Sequence, residues 1–199
     1  MSQFRQLSAI VFTDIEGYTA IMRQDEEKAI LIRNRHREIL EREHKQFNGR
    51  IIQYYGDGAL SVFQSVVDAM QCALAMQQTF CQPPRVPVRM GVHVGDIIHH
   101  DEDIVGDGVN VASRIQSLAS GNSILFSEEI QDKIKNITKF STVCLGSFDF
   151  QNVKKPIVVF ALANEGLMVP NRKMISGKLK KKKTMGGWFQ SFFSGPKEA

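Results

Sequence analysis

The sequence predicts an α+β fold: an antiparallel-rich sheet of the ferredoxin-like kind with helices packed on it. Three observations carry this. Apolar runs of strand length alternate with stretches of helical period in the order βα-ββ-αβ, followed by further βα and ββ pieces. Gly56-Asp57-Gly58 joins two such runs through a tight turn, a connection open only to antiparallel neighbours. Val86, Val88, Met90, Val92 and Val94 alternate strictly with Pro87, Arg89, Gly91, His93 and Gly95, the mark of a strand with one buried face.

Each element has its own local cause. Residues 8–13 are a near-continuous apolar run, as a central strand buried on both faces requires. Asp14-Ile15-Glu16-Gly17-Tyr18-Thr19 follows; a helix starting near Gly17 would aim unpaired N–H groups back toward Asp14, a ready phosphate site. Residues 25–47 read as a long helix with Ala29, Ile32, His36, Ile39, Leu40 and Phe47 roughly on one face, and His36 is read there as a packed residue. Asn48-Gly49 ends that helix. Two strands, residues 50–55 and 59–63, form the hairpin about Asp57. A second helix over residues 66–80 turns Val66, Met70, Ala73 and Leu74 inward, with its methionines as core filler.

Beyond the alternating strand, where His93 is read as an ordinary residue of the second face, residues 101–108 are acidic and turn-rich. Residues 109–119 are helical and place Asn110 and Arg114 one turn apart on a shared face. A short strand over residues 123–126 leads to Ser127, placed as the N-cap of another helix. Two last strands, residues 142–150 and 157–163, flank Lys154-Lys155-Pro156.

The composition narrows the class. A length of 199 residues with 43% hydrophobic content fits one domain, expected over residues 1–165, and a tail over residues 166–199. No apolar run approaches the ~20 residues of a membrane span, and three cysteines at no metal-ligand spacing suit a reducing compartment, so a cytoplasmic protein is expected. The net charge of +4 is unevenly spread: residues 1–165 hold seventeen basic and twenty acidic residues, while eight of the basic residues lie in the tail. That distribution argues against nucleic acid as a partner of the domain. The tail combines Lys178, Lys180, Lys181, Lys182 and Lys183 with Trp188, Phe189, Phe192 and Phe193. It is expected either to be a solvated, flexible terminus or to touch a partner or the inner membrane surface peripherally.

Two carboxylates draw attention. Asp14 closes an apolar run and Asp57 stands at a hairpin tip, and paired carboxylates at strand ends can hold divalent cations. Each has an ordinary alternative: Asp57 as a plain turn residue, Asp14 as a helix N-cap.

Four pieces of the sequence together resemble one family: Phe12-Thr13-Asp14-Ile15-Glu16-Gly17-Tyr18-Thr19, Tyr55-Gly56-Asp57-Gly58, Gly91-Val92-His93-Val94-Gly95, and Val105-Gly106-Asp107-Gly108-Val109-Asn110-Val111-Ala112-Ser113-Arg114. In order and spacing they are similar to the catalytic domain of class III nucleotidyl cyclases, the adenylate and guanylate cyclases, over residues 7–163. The resemblance implies an enzyme that closes a nucleoside triphosphate to a 3′,5′-cyclic nucleotide and pyrophosphate. It implies two divalent cations, Mg2+ or Mn2+, on Asp14, Asp57 and the Ile15 carbonyl, one to activate the ribose hydroxyl and one to clamp the leaving phosphates. It assigns the β- and γ-phosphates to the backbone of Glu16, Gly17, Tyr18 and Thr19, the ribose to Asn110 and the transferring phosphoryl group to Arg114. It also implies a head-to-tail homodimer, each site drawing Asp14 and Asp57 from one copy and Asn110 and Arg114 from the other.

Base choice falls to Gln53 and Asp103, the positions matching the family's adenine readers. Asp103 suits the adenine 6-amino group. Gln53 departs from the usual Lys; its amide can donate to adenine N1 or, turned over, accept from guanine N1–H, so ATP is favoured with GTP as runner-up and a pyrimidine triphosphate behind it. No basic residue stands near the Gly121–Ser123 turn, where many family members have one on the triphosphate; Lys154 or Lys155 is the weak substitute. Another class of reading is a catalytically silent nucleotide-binding or dimerisation module, against which stands the presence of all four functional residues.

Overall fold

The computed structural model describes residues 4–100, 103–151, 153, 155–171 and 173–175. In chain order the elements are β1 (Phe4–Ile15), α1 (Tyr18–Gln24), α2 (Glu26–Gln46), β2 (Arg50–Tyr55), β3 (Gly58–Phe63), α3 (Val66–Phe80), β4 (Val88–His100), β5 (Asp103–Val105), α4 (Asp107–Leu118), β6 (Ser123–Ser127), α5 (Glu128–Ile134), β7 (Thr142–Phe148) and β8 (Ile157–Leu162). They build an eight-stranded sheet in the order β2-β3-β1-β4-β6-β8-β7, with β5 paired to the far end of β4. Every pairing is antiparallel except β4 with β6. The expected α+β, antiparallel-rich architecture is what the chain adopts.

The sheet is covered on both faces because its central strands are apolar on both. Along β1, Ala9, Val11 and Ile15 join the core formed with Met70, Ala73 and Phe80 of α3 and Ile32 and Ile39 of α2. Ile10, one residue out of phase, joins Leu60, Ile97, Val109 and Ala112 on the α4 side. Fully burying side chains of this size contributes about 1.5–3 kcal/mol each. Helix ends are closed by short-range bonds: the Asp25 carboxylate accepts from the Lys28 amide at 2.9 Å, and the Ser65 hydroxyl from the Asp68 amide at 3.2 Å. Asn48 at φ 56 turns the chain out of α2.

Two expectations need correction. The alternating strand is not buried on one face only: Gly91 lets α4 lie against it, and His93 is 7% exposed. The acidic stretch after it is not all turn, because β4 continues along β1 as far as Phe4↔His99 and then folds back as β5. Ser127 is the N-cap residue of α5 as expected, with its hydroxyl paired to His93 Nδ1 at 2.8 Å rather than to a helix amide. After residue 165 the Met168 amide donates to the Asn122 carbonyl at 2.9 Å, and Ile175 is buried with Leu118 and Phe148. His36 is packed as expected, 1% exposed and stacked on Phe80.

Candidate active site

Asp14 and Asp57 are brought together by strand register. β1 runs antiparallel to β3 with Asp14 opposite Gly58, the residue after Asp57. Tyr55 pairs with Gly58, so the loop between β2 and β3 has two central residues, Gly56 and Asp57. Gly56 takes φ 60 at the first central position, the arrangement of a type II′ hairpin, and Asp57 needs no left-handed backbone. The hairpin expected from the sequence is present, and of its two glycines Gly56 provides the positive φ. The α-carbon of Gly58 lies so near β1 that a Cβ would stand 2.6 Å from the Thr13 carbonyl oxygen and 3.5 Å from Asp14 Oδ1. The tip is thus pressed against the end of β1.

The two carboxyl groups lie close enough for the charge of one to act on the other. Burial, and next the Asp14 carboxylate beside it, push the Asp57 carboxyl up to about 7. Two acids so close cannot both be charged cheaply in a half-buried place; oxygen-only donors with shared negative charge suit a hard divalent cation. Asp14 is not an N-cap: α1 is preceded by Gly17, and only Asp25 of these acids caps a helix. Among the described residues no three His, Cys, Asp or Glu side chains gather as a metal cluster. The protein's share of a cation site here would be these two carboxylates and main-chain oxygen.

A third side chain, not singled out from the sequence, completes the cluster. Arg89 lies directly opposite Asp14 in the β1–β4 register. Its Nε donates to Asp14 Oδ2 at 2.7 Å, and its Nη2 donates to the same oxygen. Arg89 is also the β4 partner of Ser123 on β6. A positive charge thus stands on the strand beside the Gly121–Ser123 turn. Only the alternation of β4 hinted at it, by placing Arg89 on the same face as Gly91 and His93.

The loop from β1 into α1 is partly committed. The Glu16 amide donates to the Pro87 carbonyl at 2.8 Å, which takes it out of the set expected for phosphate. The Glu16 carboxylate accepts from the Gly121 amide at 2.8 Å and ties this loop to the turn before β6. Gly17 and Thr19 are exposed. The amides of residues 17–19 lie at the start of a helix, where no intrahelical acceptor exists for them.

Asn110 and Arg114 are on the opposite side of their own helix. Val109, Ala112, Ile115 and Gln116 of α4 are buried, whereas Asn110, Arg114 and Ser117 are only half-buried. At ~100° per residue Asn110 and Arg114 lie roughly opposite Ala112, which faces the sheet. Burial lowers the Arg114 guanidinium from its ordinary value but leaves it a cation. One copy of the chain therefore does not bring this pair onto its own carboxylates.

Gln53 is exposed on the edge strand β2, beside the irregularity between Ile51 and Gln53. Asp103 begins β5, and Ile104 next to it shares an apolar cluster with Ile52 and Tyr55 of β2, so the two positions expected to read the base fall on neighbouring elements of one copy. Lys154 lies outside the described residues, as do the basic run and the aromatic residues of the tail. No helix among the described residues is long and apolar enough to cross a membrane.

A family model described as the adenylate and guanylate cyclase catalytic domain matches residues 2–164. The chain belongs to that family. Its sequence is 35% identical over 164 residues to "Putative adenylate cyclase 3" of Rhizobium meliloti (strain 1021), an alignment covering 78% of this chain and 28% of the relative. It is 27% identical over 176 residues to an adenylate cyclase of Anabaena cylindrica, covering 75% and 34%. The cyclase chain thus spans about a third or less of these two relatives. Among solved structures it is similar to an adenylate/guanylate cyclase/hydrolase from Silicibacter pomeroyi, with TM-score 0.76, 29% identity and coverage of 82% of this chain and 100% of that one. The fold is also that of the guanylate cyclase domain of RhGC from Catenaria anguillulae, solved in complex with GTP, at TM-score 0.71, 20% identity, and 82% and 98% coverage.

Proposed function

We propose that this chain is a nucleotidyl cyclase acting on ATP in preference to GTP, at sites shared between two copies in a head-to-tail homodimer. The observation that carries this reading is the strand register that sets Asp14 opposite Gly58, so that the Asp14 and Asp57 carboxyl groups act on each other's charge at adjoining strand ends. In the reaction the ribose 3′-oxygen attacks the α-phosphorus, the bond to the β-phosphate bridging oxygen breaks, and pyrophosphate leaves with that electron pair. The hydroxyl proton passes to solvent, and no protein nucleophile takes part.

Two divalent cations, Mg2+ or Mn2+, would acidify the hydroxyl and offset charge on the departing pyrophosphate. Asp14, Asp57 and the Ile15 carbonyl are the groups that would hold them. The amides of Gly17, Tyr18 and Thr19 bind phosphate oxygens. Asn110 of the second copy orients the ribose, and its Arg114 offers a rigid fork of donors to the phosphoryl oxygens as their charge grows. The outward stripe of α4 supports a shared site, since these two side chains point away from the sheet that bears their own carboxylates. Gln53 and Asp103 read the base; Asp103 accepts from the 6-amino group, which favours ATP, and GTP is the second reading because the Gln53 amide can present either end.

Purified protein incubated with Mn2+ or Mg2+ and each nucleoside triphosphate tests this directly. Cyclic AMP with equimolar pyrophosphate is the expected result, and cyclic GMP in its place would reassign the base. No pyrophosphate from any triphosphate, in a preparation shown to be dimeric, would leave a silent dimerisation module.

A further inference from the structure

We infer that Arg89 is a built-in counter-ion that any cation on Asp14 must either displace or sit beside, and that it holds down the affinity of the site for metal alone. The inference rests on the proposed metal role of Asp14 and Asp57 and adds a device that controls it.

The geometry is specific. A carboxylate oxygen has two lone-pair directions, and Oδ2 of Asp14 receives two N–H groups, Nε at 2.7 Å and Nη2. The remaining oxygen, Oδ1, is the one near the β2–β3 tip, 3.5 Å from where a Cβ on Gly58 would stand. A cation can therefore reach Asp14 only at Oδ1 unless the guanidinium leaves, and it then enters beside a fixed positive charge. The pair is well shielded, with the Arg89 side chain 26% exposed and that of Asp14 16% exposed, so water screens this repulsion incompletely. Arginine cannot be relieved of its charge by losing a proton at any ordinary pH. The contact is also fixed by the fold: Asp14 and Arg89 are opposite one another in an antiparallel pair, and β1 and β4 remain in register from Ile15↔Val88 to Phe4↔His99.

A plain brace between two strands would look alike in geometry but behave differently. Loss of a brace weakens the fold and leaves metal affinity equal or lower. Loss of a competitor raises metal affinity, because Asp14 and Asp57 are left with less compensated charge. The difference is readable without turnover.

Mn2+ binding to nucleotide-free protein, followed by electron paramagnetic resonance of the unbound ion, separates these. Wild type, Arg89→Met, Arg89→Lys and Asp14→Asn are compared after circular dichroism has shown each to be folded. Arg89→Met should bind Mn2+ about tenfold more tightly than wild type, as expected from removing charge-assisted hydrogen bonds partly weakened by solvent. Arg89→Lys, which keeps the charge without the fork, should lie between them, and Asp14→Asn should lose the site. If wild type binds Mn2+ and Asp14→Asn does not, while both Arg89 variants match or fall below wild type, the counter-ion role is overturned and the metal reading survives. If no protein binds Mn2+, the metal reading falls and this inference with it. Should Arg89→Met fail to fold, Arg89→Lys alone decides, since an affinity no higher than wild type overturns the inference.

Discussion

Asp57 occupies the second position of a two-residue loop, and its side chain lies beside Asp14 rather than in the apolar core. Asp57→Ala should therefore cut turnover by about 10²-fold or more while urea-unfolding stability shifts by less than about 1 kcal/mol. His36 is the opposite kind of residue. It is buried, it pairs with Thr13 Oγ1 at 3.2 Å, and burial lowers its pKa to about 3, with the charges of Arg37 and His44 acting in the same direction. An unfolded chain protonates this imidazole near its ordinary 6.5, so between there and about 3 the unfolded state holds the extra proton. Stability must then climb as pH rises through that window, by up to about 1.4 kcal/mol per pH unit from this group. Urea midpoints measured from pH 4 to 7 should show a shallower slope in His36→Leu. Some slope should remain, because His44 and His93 are also lowered by burial. Both residues could be placed from sequence, His36 by its helical period and Asp57 by its turn. Arg89 could not, since its role depends on a cross-strand neighbour 75 positions away that no local pattern encodes.

Local chemistry also decided which elements were legible. α3 was bounded correctly at both ends, because Ser65 and the Cys81-Gln82-Pro83-Pro84 break punctuate a clean apolar stripe. β5 was missed because it is only three residues long, between Asp103 in an acidic stretch and Gly106; it exists because β4 overruns the helix-covered sheet and Ile104 joins the apolar cluster of Ile52, Tyr55 and Leu60. Contact between α4 and β4 was hidden as well, in a single glycine. A Cβ on Gly91 would lie 2.6 Å from the Ala112 carbonyl oxygen and 2.5 Å from Gln116 Cα. Neither is a flexible side-chain end, so helix and strand must separate to admit it. Gly91→Ala should lower stability by about 1–3 kcal/mol. It should also lower turnover, since α4 carries Asn110 and Arg114, and thermal unfolding alongside a cyclase assay would show both losses. Gly91→Ala with unchanged melting temperature would mean that α4 sits further from the sheet than described.

At the scale of the molecule the decisive property is incompleteness. One copy displays a carboxylate pair at strand ends and, elsewhere, an Asn–Arg pair on an outward helix stripe. If two copies complete each other, Asp57→Ala and Arg114→Ala should each be inactive, yet their mixture should recover activity through hybrid dimers. With free subunit exchange half the dimers are hybrids with one intact site of two, so about a quarter of wild-type turnover is expected. No recovery, in a mixture shown by mass spectrometry to exchange subunits, would sink the shared site. The general architecture was legible from alternation, helical period and one hairpin; the pairing of the halves is what the family resemblance implies, and the direction in which α4 presents Asn110 and Arg114 supports it.

The bond from the Met168 amide to the Asn122 carbonyl has a practical side. Asn122 in turn donates to the Val88 carbonyl, one residue from Arg89. Cutting the gene after codon 165, where strand prediction stops, would unstitch this seam and strip Ile175 from its apolar nest. A reporter or affinity handle belongs after residue 175, and a truncation placed earlier should yield a preparation whose metal uptake is altered before any active-site residue has been changed.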